Sequence, residues 1–221
     1  MKIYYSDKLE VGIDEVARGC LAGPVFTAAV IWPKDLNCDI QNQIKREEEA
    51  LEIVKSNYNL LNSIQNQIKD SKKLSRKKRK LLREYIEANA IDFSVAYKDN
   101  TIIDKYNILN ATHMAMHAAL NDLNVVPEFI LVDGNSFKPY YYDNDLIEHV
   151  CVVEGDNKYL SIACASILAK EYHDEYIENL LENDSDLKKY DWENNMCYGT
   201  KKHMDAINKY GITKYHRKTF G

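Results

Sequence analysis

Four acidic residues are placed where they could hold metal ions. Asp14 and Glu15 end one apolar run, and Asp133 ends another. Asp174 lies in a long segment with helical periodicity. Clustered carboxylates repel one another, and a hard divalent cation such as Mg²⁺ or Mn²⁺ neutralises them through oxygen ligands. Two such ions roughly 3.5–4 Å apart can activate a water and stabilise the leaving oxygen when a phosphodiester is cut. The set therefore permits metal-assisted hydrolysis, if the fold brings the acids together.

Each of these residues also has an ordinary structural explanation. Asp133 is followed by Gly134 and could simply make a turn, while Asp174 could be a solvated helix residue. Ser166, Lys170 and Asp174 are spaced i, i+4, i+8, so in a helix they share one face. Lys170 could contact a phosphate on that face, or it could form a salt bridge with Asp174. Spacing alone leaves these alternatives open.

The elements that would position the acids alternate between strands and helices. Apolar runs bounded by turn residues predict strands at 9–16, 25–32, 91–97, 128–133 and 148–154. Helical periodicity predicts helices at 75–90, 107–123 and 160–182, with shorter helices within 185–210. This order predicts an α/β fold with a mixed central sheet flanked by helices. Acids that end neighbouring strands would meet at one edge of that sheet.

Charge is distributed unevenly along the chain. The formal net charge is −5, but residues 69–80 and the tail 201–221 are rich in lysine and arginine. Basic patches on an acidic protein suit a ligand with a phosphate backbone. The alternative is a solvated basic helix face, which is common for a single run of charge.

Nothing in the composition indicates secretion or a membrane. The first ten residues lack an apolar signal-peptide core, and the longest apolar stretch is short and broken by Gly and Pro. The five cysteines are scattered and form no CxxC pair. We therefore expect reduced thiols in a cytoplasmic protein.

One segment stands apart from this pattern. The hexapeptide IQNQIK occurs at 40–45 and again at 64–69. Apolar residues between the copies recur at seven-residue spacing, which predicts a helical arm inserted at about 34–69 and made by a local tandem duplication. The alternative is a polar linker of biased composition.

Five motifs occur along the chain in one order, and together they resemble the ribonuclease HII family, the type 2 ribonucleases H. The motifs are GIDEVARGCLAGPV (12–25), DSKKLS (70–75), LVDGN (131–135), SIACASILAKEYHD (161–174) and CYGTKKHMDAINKYGITKYHRKTF (197–220). The resemblance implies a ribonuclease H-like domain at 1–184 with a helical C-terminal extension at 185–221 that contacts substrate. It also implies an endonuclease that cuts RNA in RNA–DNA hybrids.

The resemblance implies roles for the four acids. Asp14, Glu15, Asp133 and Asp174 map onto the metal-binding and catalytic acids of the family. We expect Asp14 to bridge two Mg²⁺ or Mn²⁺ ions, with Glu15 and Asp133 completing one site. Asp174 would help to hold the other ion.

Further residues map onto substrate contacts of the family. Arg18 and Gly19 match a glycine-arginine-glycine motif that senses the ribose 2′-OH through the backbone, and Tyr198 matches a tyrosine that stacks on the sugar at the RNA-to-DNA junction. Reading a 2′-OH closely needs backbone that side chains do not cover. The expected substrate-binding residues are Ala17, Arg18, Gly19, Lys72, Lys73, Asn135, Ser166, Lys170 and Tyr198.

Such a site also implies which partners the chain binds. The substrates would be RNA–DNA hybrids and duplex DNA that contains ribonucleotides, cut on the 5′ side of the ribonucleotide to leave 3′-OH and 5′-phosphate ends. We expect a monomer in the cytoplasm, with no membrane contact.

The chain departs from the family motifs at several points. Ala17 replaces the first glycine of the glycine-arginine-glycine motif, Cys20 replaces a proline, and Cys197 replaces the glycine before Tyr198. Since Ala17 adds a methyl group beside the 2′-OH reader, we expect junction selectivity to be affected more than cleavage itself.

Three alternatives stay open at this point. Ribonuclease HIII uses a glutamate as its fourth acid, which Asp174 disfavours. Other ribonuclease H-fold nucleases, such as integrases and resolvases, do not suit the DSKKLS and HRKTF motifs. A non-catalytic hybrid-binding protein would not need the intact set of acids, and metal-dependent turnover separates it from an enzyme.

Overall fold

A six-stranded mixed sheet forms the centre of the fold. The computed structural model describes residues 1–34 and 76–220. Its strands are β1 (Glu10–Val16), β2 (Val25–Ile31), β3 (Asp92–Lys98), β4 (Phe129–Asp133), β5 (Tyr140–Tyr142) and β6 (Asp145–Val152). Their order in the sheet is β3-β2-β1-β4-β6-β5. β1 pairs in parallel with β4, and β4 pairs in parallel with β6. The carboxyl ends of these three strands therefore meet at one edge.

Six α-helices and two 3₁₀ turns accompany the sheet in the described part of the chain. The helices are α1 (Arg76–Asn89), α2 (Asn100–Tyr106), α3 (Ile108–Asn121), α4 (Leu160–Asn183), α5 (Trp192–Asn195) and α6 (Lys201–Tyr210). The 3₁₀ turns are Gly155–Asn157 and Ser185–Tyr190. The second turn, α5 and α6 lie within the predicted C-terminal extension.

Helices bury both faces of the sheet. On one face, Ala28 and Val30 of β2 pack with residues of α1 and α4. On the other face, Ala29 and Ile31 pack with residues of α3. Because successive strand residues point to opposite faces, a strand covered on both sides reads as an unbroken apolar run. This explains the continuous sequence VFTAAVI in β2.

Gly12 allows α4 to approach β1 closely. A Cβ built on Gly12 would lie 2.3 Å from the main-chain carbon of Ser161, at the start of α4. That distance is far below van der Waals contact, and the neighbour is backbone, which cannot rotate away. The glycine thus sets the depth at which α4 crosses the acid-bearing strand.

We expect Gly12→Ala to lower stability by about 2 kcal/mol or more, because the methyl group overpacks the β1–α4 contact. In a domain of this size the loss corresponds to a Tm decrease of about 5 °C, measured by thermal unfolding followed by circular dichroism. Gly19→Ala is the matched control, since a Cβ there meets nothing within 4 Å among the described residues. Equal Tm values for the two variants would contradict the explanation.

The predicted fold class is confirmed as a mixed sheet with flanking helices and helical elements after residue 185. Two features were not predicted. α2 precedes the predicted helix at 107–123, and β5 pairs with β6 in a hairpin. The predicted arm at 34–69 lies outside the described residues from position 35 onward, as do the DSKKLS motif, Lys72 and Lys73. The division at residue 184 stays a prediction.

Two expectations about the class of protein can be compared with the structure. Cys20, Cys151, Cys164 and Cys197 are all free thiols, as expected. Across residues 1–34 and 76–220, no helix combines the length and the apolar character that a membrane crossing requires.

Candidate active site

Three of the predicted acids meet at the carboxyl edge of the sheet. Asp14 and Glu15 lie near the end of β1, and Asp133 ends the neighbouring strand β4. Asp14 is 5% exposed. Burial raises the pKa of its carboxyl group well above the usual value, and the nearby charges of Asp133 and Glu15 raise it further. The edge therefore concentrates negative charge in a place with little water.

The two carboxylate oxygens of Glu15 differ in their hydrogen bonding. Its Oε1 accepts a hydrogen bond from Arg18 Nη1 at 3.0 Å. Its Oε2 is buried and has no hydrogen-bond partner among the described residues. Burial raises the pKa of Glu15, although Arg18 opposes the shift.

A hard divalent cation fits this donor set, because it would compensate the buried oxygen of Glu15 and the repulsion around Asp14. In the described ranges, however, no three His, Cys, Asp or Glu side chains converge in the arrangement of a formed metal site. The acids share an edge without closing on a common point.

Asp156 is an acid at the same edge that the sequence reasoning missed. It lies in the 3₁₀ turn that follows β6 and is 2% exposed. Asp133 Oδ1 accepts hydrogen bonds from the main-chain N–H groups of Gly155, at 2.6 Å, and of Asp156, at 3.4 Å. A Cβ on Gly155 would lie 3.2 Å from the same oxygen, so the glycine lets this turn approach the carboxylate. The signal was available, since Asp156 follows a predicted strand just as Asp133 ends one.

The predicted face of α4 points at this edge. The Ser166 hydroxyl faces the Asp14 carboxylate and opposes the rise in its pKa. One turn further along α4, Lys170 Nζ lies 2.8 Å from Asp174 Oδ1. The i, i+4, i+8 spacing thus gives a shared face, and the predicted salt bridge between Lys170 and Asp174 is present.

Asp174 has surroundings unlike those of the other three predicted acids. Both of its oxygens face nitrogen atoms: Lys170 Nζ at 2.8 Å and His173 Nδ1 at 3.2 Å from Oδ1, and Arg79 Nη2 at 3.4 Å from Oδ2. Burial would raise its pKa, but the hydrogen bonds and charges of His173 and Lys170 outweigh burial and lower it. Asp174 also lies eight residues beyond Ser166, or about 12 Å along the helix axis. The structure shows it as a carboxylate that its neighbours compensate, about two helical turns beyond Ser166 on α4.

The loop after β1 exposes its main chain. Arg18 and Gly19 are exposed, whereas Ala17 is 2% exposed and has φ 69°. That conformation is left-handed, which glycine adopts freely and alanine adopts only at a cost. Ala17 therefore holds the loop in a conformation that is strained for a residue with a side chain.

Arg217 holds the inner side of the same loop. Its guanidinium is buried, and Nη2 and Nη1 donate hydrogen bonds to the carbonyl oxygens of Ala17 and Arg18, both at 2.8 Å. In a trans peptide the C=O and N–H groups point in opposite directions. The N–H groups of Arg18 and Gly19 therefore point away from Arg217, toward the open side of the loop.

Tyr198 lies against this loop. Cys20 forms a backbone bridge with Tyr198, and the Tyr198 hydroxyl lies close enough to Ala17 and Cys20 for both to influence its pKa. Lys170 Nζ lies 5.9 Å from the centroid of the ring, which is 38% exposed. Burial raises the pKa of the phenol to about 12, so the hydroxyl stays neutral at physiological pH. Residues 17–19, Lys170 and Tyr198 thus share one surface.

Comparisons with known proteins agree with these motifs. Residues 53–221 match the family model described as Ribonuclease HII. The Ribonuclease HII of Christiangramia forsetii is 45% identical over 98% of this chain and 93% of its own length, and that of Parabacteroides distasonis is 46% identical over 96% and 90%. This chain belongs to the ribonuclease HII family. It is accordingly a nuclease of the hydrolase class.

The fold of this ribonuclease HII is also found in a solved relative. The crystal structure of the ribonuclease H2 from Pyrococcus horikoshii aligns with a TM-score of 0.68 at 21% identity, covering 95% of this chain and 92% of that chain. The predicted ribonuclease H-like fold is therefore confirmed.

Two substitutions in the ribonuclease HII motifs keep a glycine-like backbone. Ala17 has φ 69° and Cys197 has φ 67°, although both stand where the family has glycine. Both side chains are buried in one apolar cluster beneath the loop. The cluster accommodates the added atoms, and the left-handed conformation persists.

The remaining predicted residues occupy varied positions in this ribonuclease HII. Asn135 is exposed two residues after Asp133. His203, His216 and Arg217 of the C-terminal motif are all buried, so they pack inside the fold and do not reach toward substrate.

Proposed function

We propose that this ribonuclease HII uses divalent cations to hydrolyse RNA in RNA–DNA hybrids and to cut on the 5′ side of ribonucleotides embedded in duplex DNA. The observation that supports the proposal is the adjacency of two features. The buried carboxylate of Asp14 and the partly buried carboxylates of Glu15 and Asp133 lie at the edge of the sheet, and the loop 17–19 follows Asp14 and Glu15 in β1 with its N–H groups turned outward. One feature serves cleavage, and the other serves recognition of the sugar.

Asp14, Glu15 and Asp133 are the residues that would hold the ions, and Asp174 is the fourth acid that the resemblance names. We add Asp156 as a candidate, since it is buried and its N–H reaches the carboxylate of Asp133. When bound, two Mg²⁺ or Mn²⁺ ions would supply an activated water and stabilise the leaving 3′ oxygen. Ser166 lies beside the Asp14 carboxylate and would help to orient it, and Lys170 offers positive charge for a backbone phosphate.

Recognition of the ribose would fall to the exposed main chain and to Tyr198. The N–H groups of Arg18 and Gly19 are oriented outward by Arg217 and can donate to a 2′-OH, which DNA lacks. The ring of Tyr198 offers a flat surface for the neighbouring sugar. The basic segment that includes Lys72 and Lys73 would bind phosphates. We further propose a monomeric, cytoplasmic enzyme whose partners are these nucleic acids.

An incubation with end-labelled duplexes tests the proposal. We expect DNA that contains one ribonucleotide to be cut on the 5′ side of that ribonucleotide in the presence of Mg²⁺ or Mn²⁺, leaving a 3′-OH end. EDTA should stop the reaction, and all-DNA duplex should stay intact. Cleavage in EDTA would contradict the metal mechanism, while comparable cutting of all-DNA duplex would contradict the 2′-OH reader.

We expect Ala17→Gly to sharpen the choice of single ribonucleotides and to leave hybrid cutting within about twofold. Glycine relieves the left-handed strain, which costs about 1–2 kcal/mol at a non-glycine residue, so the reader loop can adjust its main chain to the ribose. The net gain in stability is smaller than the strain relieved, for two reasons. The protein loses a buried methyl group worth about 0.8 kcal/mol, and glycine gives the unfolded chain more conformational freedom. The measurement is the ratio of kcat/KM on single-ribonucleotide duplex to kcat/KM on hybrid.

The control for this variant is Ala22→Gly, at a buried alanine three residues beyond the reader amides. Its backbone is not left-handed, so glycine brings no relief there. An unchanged substrate ratio in Ala17→Gly, or an equal change in both variants, would contradict the proposed role of the methyl group.

A further inference from the structure

Two histidines of the C-terminal region lie buried side by side. His203, on α6, and His216, near the end of the chain, are 0% and 1% exposed. Their Nε2 atoms are 3.2 Å apart. Two imidazoles at this distance need a proton between them, because otherwise two lone pairs or two N–H groups would face each other. The tautomer of each ring therefore decides whether the contact is favourable.

The backbone fixes the tautomer of His216. The N–H of Thr213 lies 2.8 Å from His216 Nδ1, and a main-chain N–H can only donate. Nδ1 must therefore be the unprotonated acceptor. The proton of the neutral ring is on Nε2, where it points at His203.

A tryptophan fixes the tautomer of His203 independently. Trp192 Nε1 donates a hydrogen bond to His203 Nε2 at 3.0 Å, and an indole N–H has no acceptor capacity. His203 Nε2 is thus an acceptor, and the ring proton is on Nδ1. That atom lies 3.0 Å from the carbonyl oxygen of Tyr198, which can only accept. The two tautomers are consistent with each other, because the proton on His216 Nε2 points at His203 Nε2, which accepts it.

We propose that His203 and His216 form a neutral two-histidine relay, running from the Thr213 N–H to the Tyr198 carbonyl, that positions Tyr198 against the loop 17–19. The inference rests on the proposed function, since it assigns these histidines to the residue that would contact the sugar. They are positioning residues that act through Tyr198 and touch no substrate.

The main chain directly before Tyr198 is strained, so it needs contacts that stabilise its conformation. Met196 and Cys197 have φ values of 46° and 67°, so two consecutive non-glycine residues adopt the left-handed region. Each costs about 1–2 kcal/mol and needs contacts that enforce it. The Tyr198 carbonyl accepts from His203 Nδ1 and also from the N–H of Thr200 at 2.8 Å. Without the histidine, the local turn would supply the one hydrogen bond to this carbonyl that remains among the described residues.

Protonation of either ring would break the relay. A proton on His216 Nδ1 would face the Thr213 N–H, and one on His203 Nε2 would face the Trp192 N–H. Burial lowers the pKa of both histidines, that of His216 to about 4. Both effects favour the neutral rings that the contacts require.

Imidazole ¹⁵N NMR of the unmodified protein tests the relay without any substitution. We expect His203 to carry its proton on Nδ1 and His216 to carry its proton on Nε2. The opposite tautomer at either ring, or a protonated ring at neutral pH, would overturn the proposal. This readout does not depend on catalysis.

A substitution pair tests whether the relay acts through Tyr198. His203→Gln keeps a polar group near Nε2 but loses the donor to the Tyr198 carbonyl, whereas His203→Asn keeps a donor near Nδ1. We expect His203→Gln to lower kcat/KM on single-ribonucleotide duplex by about 3- to 10-fold, as for one lost hydrogen bond, and His203→Asn to retain most of the activity. Folded protein is confirmed for each variant by circular dichroism.

The deciding measurement repeats His203→Gln in a Tyr198→Ala background. If the histidine acts through the tyrosine ring, His203→Gln causes no further loss of kcat/KM once the ring is absent. An equal loss in both backgrounds would overturn the positioning role and show a general packing effect. Failure of the proposed function looks different, because the unmodified protein would then cut no ribonucleotide-containing duplex while its tautomers stayed as assigned.

Discussion

Asp14→Asn is expected to lower kcat by about 10³-fold or more and, at the same time, to raise thermal stability. The Asp14 carboxylate is buried beside the charges of Asp133 and Glu15, and its loss removes a ligand that both ions would share. A 10³-fold decrease corresponds to about 4 kcal/mol of lost transition-state stabilisation. Asparagine can still accept the hydrogen bond that the main-chain N–H of Glu15 donates to Asp14 Oδ1 at 2.7 Å, so the local structure should persist.

The gain in stability follows from the sign of the pKa shift. Burial and the neighbouring carboxylates raise the pKa of Asp14, so the ionised form is disfavoured in the folded protein. The protein is therefore most stable below the unfolded pKa of about 3.9 as far as this group is concerned, and it loses stability as pH rises toward the folded pKa. Since asparagine does not ionise, the variant should be more stable than the unmodified protein at neutral pH in metal-free buffer, and its Tm should be higher.

The control for this variant is Asp186→Asn, at an aspartate whose side chain is 87% exposed. It should change neither kcat nor Tm appreciably. An Asp14→Asn protein with more than a tenth of the original kcat would contradict the assignment of Asp14 as a shared ligand. A lower Tm in metal-free buffer would contradict the account of its electrostatics.

Local sequence signals predicted the elements well where one signal dominated. The covered strand β2 reads as an apolar run, and α4 has clear helical periodicity. The hairpin of β5 and β6 was missed. Its turn residues are Asp143 and Asn144, and both have positive φ, which is the signature of a two-residue hairpin turn. Helix α2 was missed too, although Asp99 caps it by accepting from the N–H groups of Thr101 and Ile102.

The site was predictable to the extent that strand ends converge on one edge. That rule placed Asp14, Glu15 and Asp133 together, and applied once more it would have found Asp156. The role of Arg217 could not be derived from spacing, because it contacts carbonyls 199 and 200 residues earlier in the chain. Such contacts depend on how the tail packs against the first loop, and no local pattern carries that information.

The fourth acid is the point at which sequence and structure differ most, and two variants separate the candidates. We expect Asp156→Asn to lower kcat by about 10²-fold or more, and Asp174→Asn to lower it by less than about tenfold. Asp156 is buried at the edge where Asp133 lies, whereas Asp174 faces Lys170, His173 and Arg79 and lies about 12 Å along α4 from Ser166.

For stability we expect the reverse order, with Asp174→Asn having the larger effect on the free energy of unfolding. The pKa of Asp174 is lowered, so this group contributes stability that is present above its unfolded pKa of about 3.9 and is lost as pH falls below it. Asp174→Asn should therefore cost about 2–3 kcal/mol at neutral pH, because Lys170 and Arg79 lose a buried partner, and it should flatten the decline in stability on acidification. Denaturant unfolding at pH 7 and near pH 3 measures both effects.

Calorimetric titration with Mn²⁺ makes the comparison independent of turnover. If Asp156 is a ligand, Asp156→Asn weakens Mn²⁺ binding at least about tenfold, while Asp174→Asn leaves it nearly unchanged. If instead Asp174→Asn abolishes both Mn²⁺ binding and cleavage while Asp156→Asn retains them, the assignment read from the sequence is correct. The ion pair with Lys170 would then have to open when metal binds, since an ammonium group and a divalent cation cannot share one carboxylate oxygen at close range.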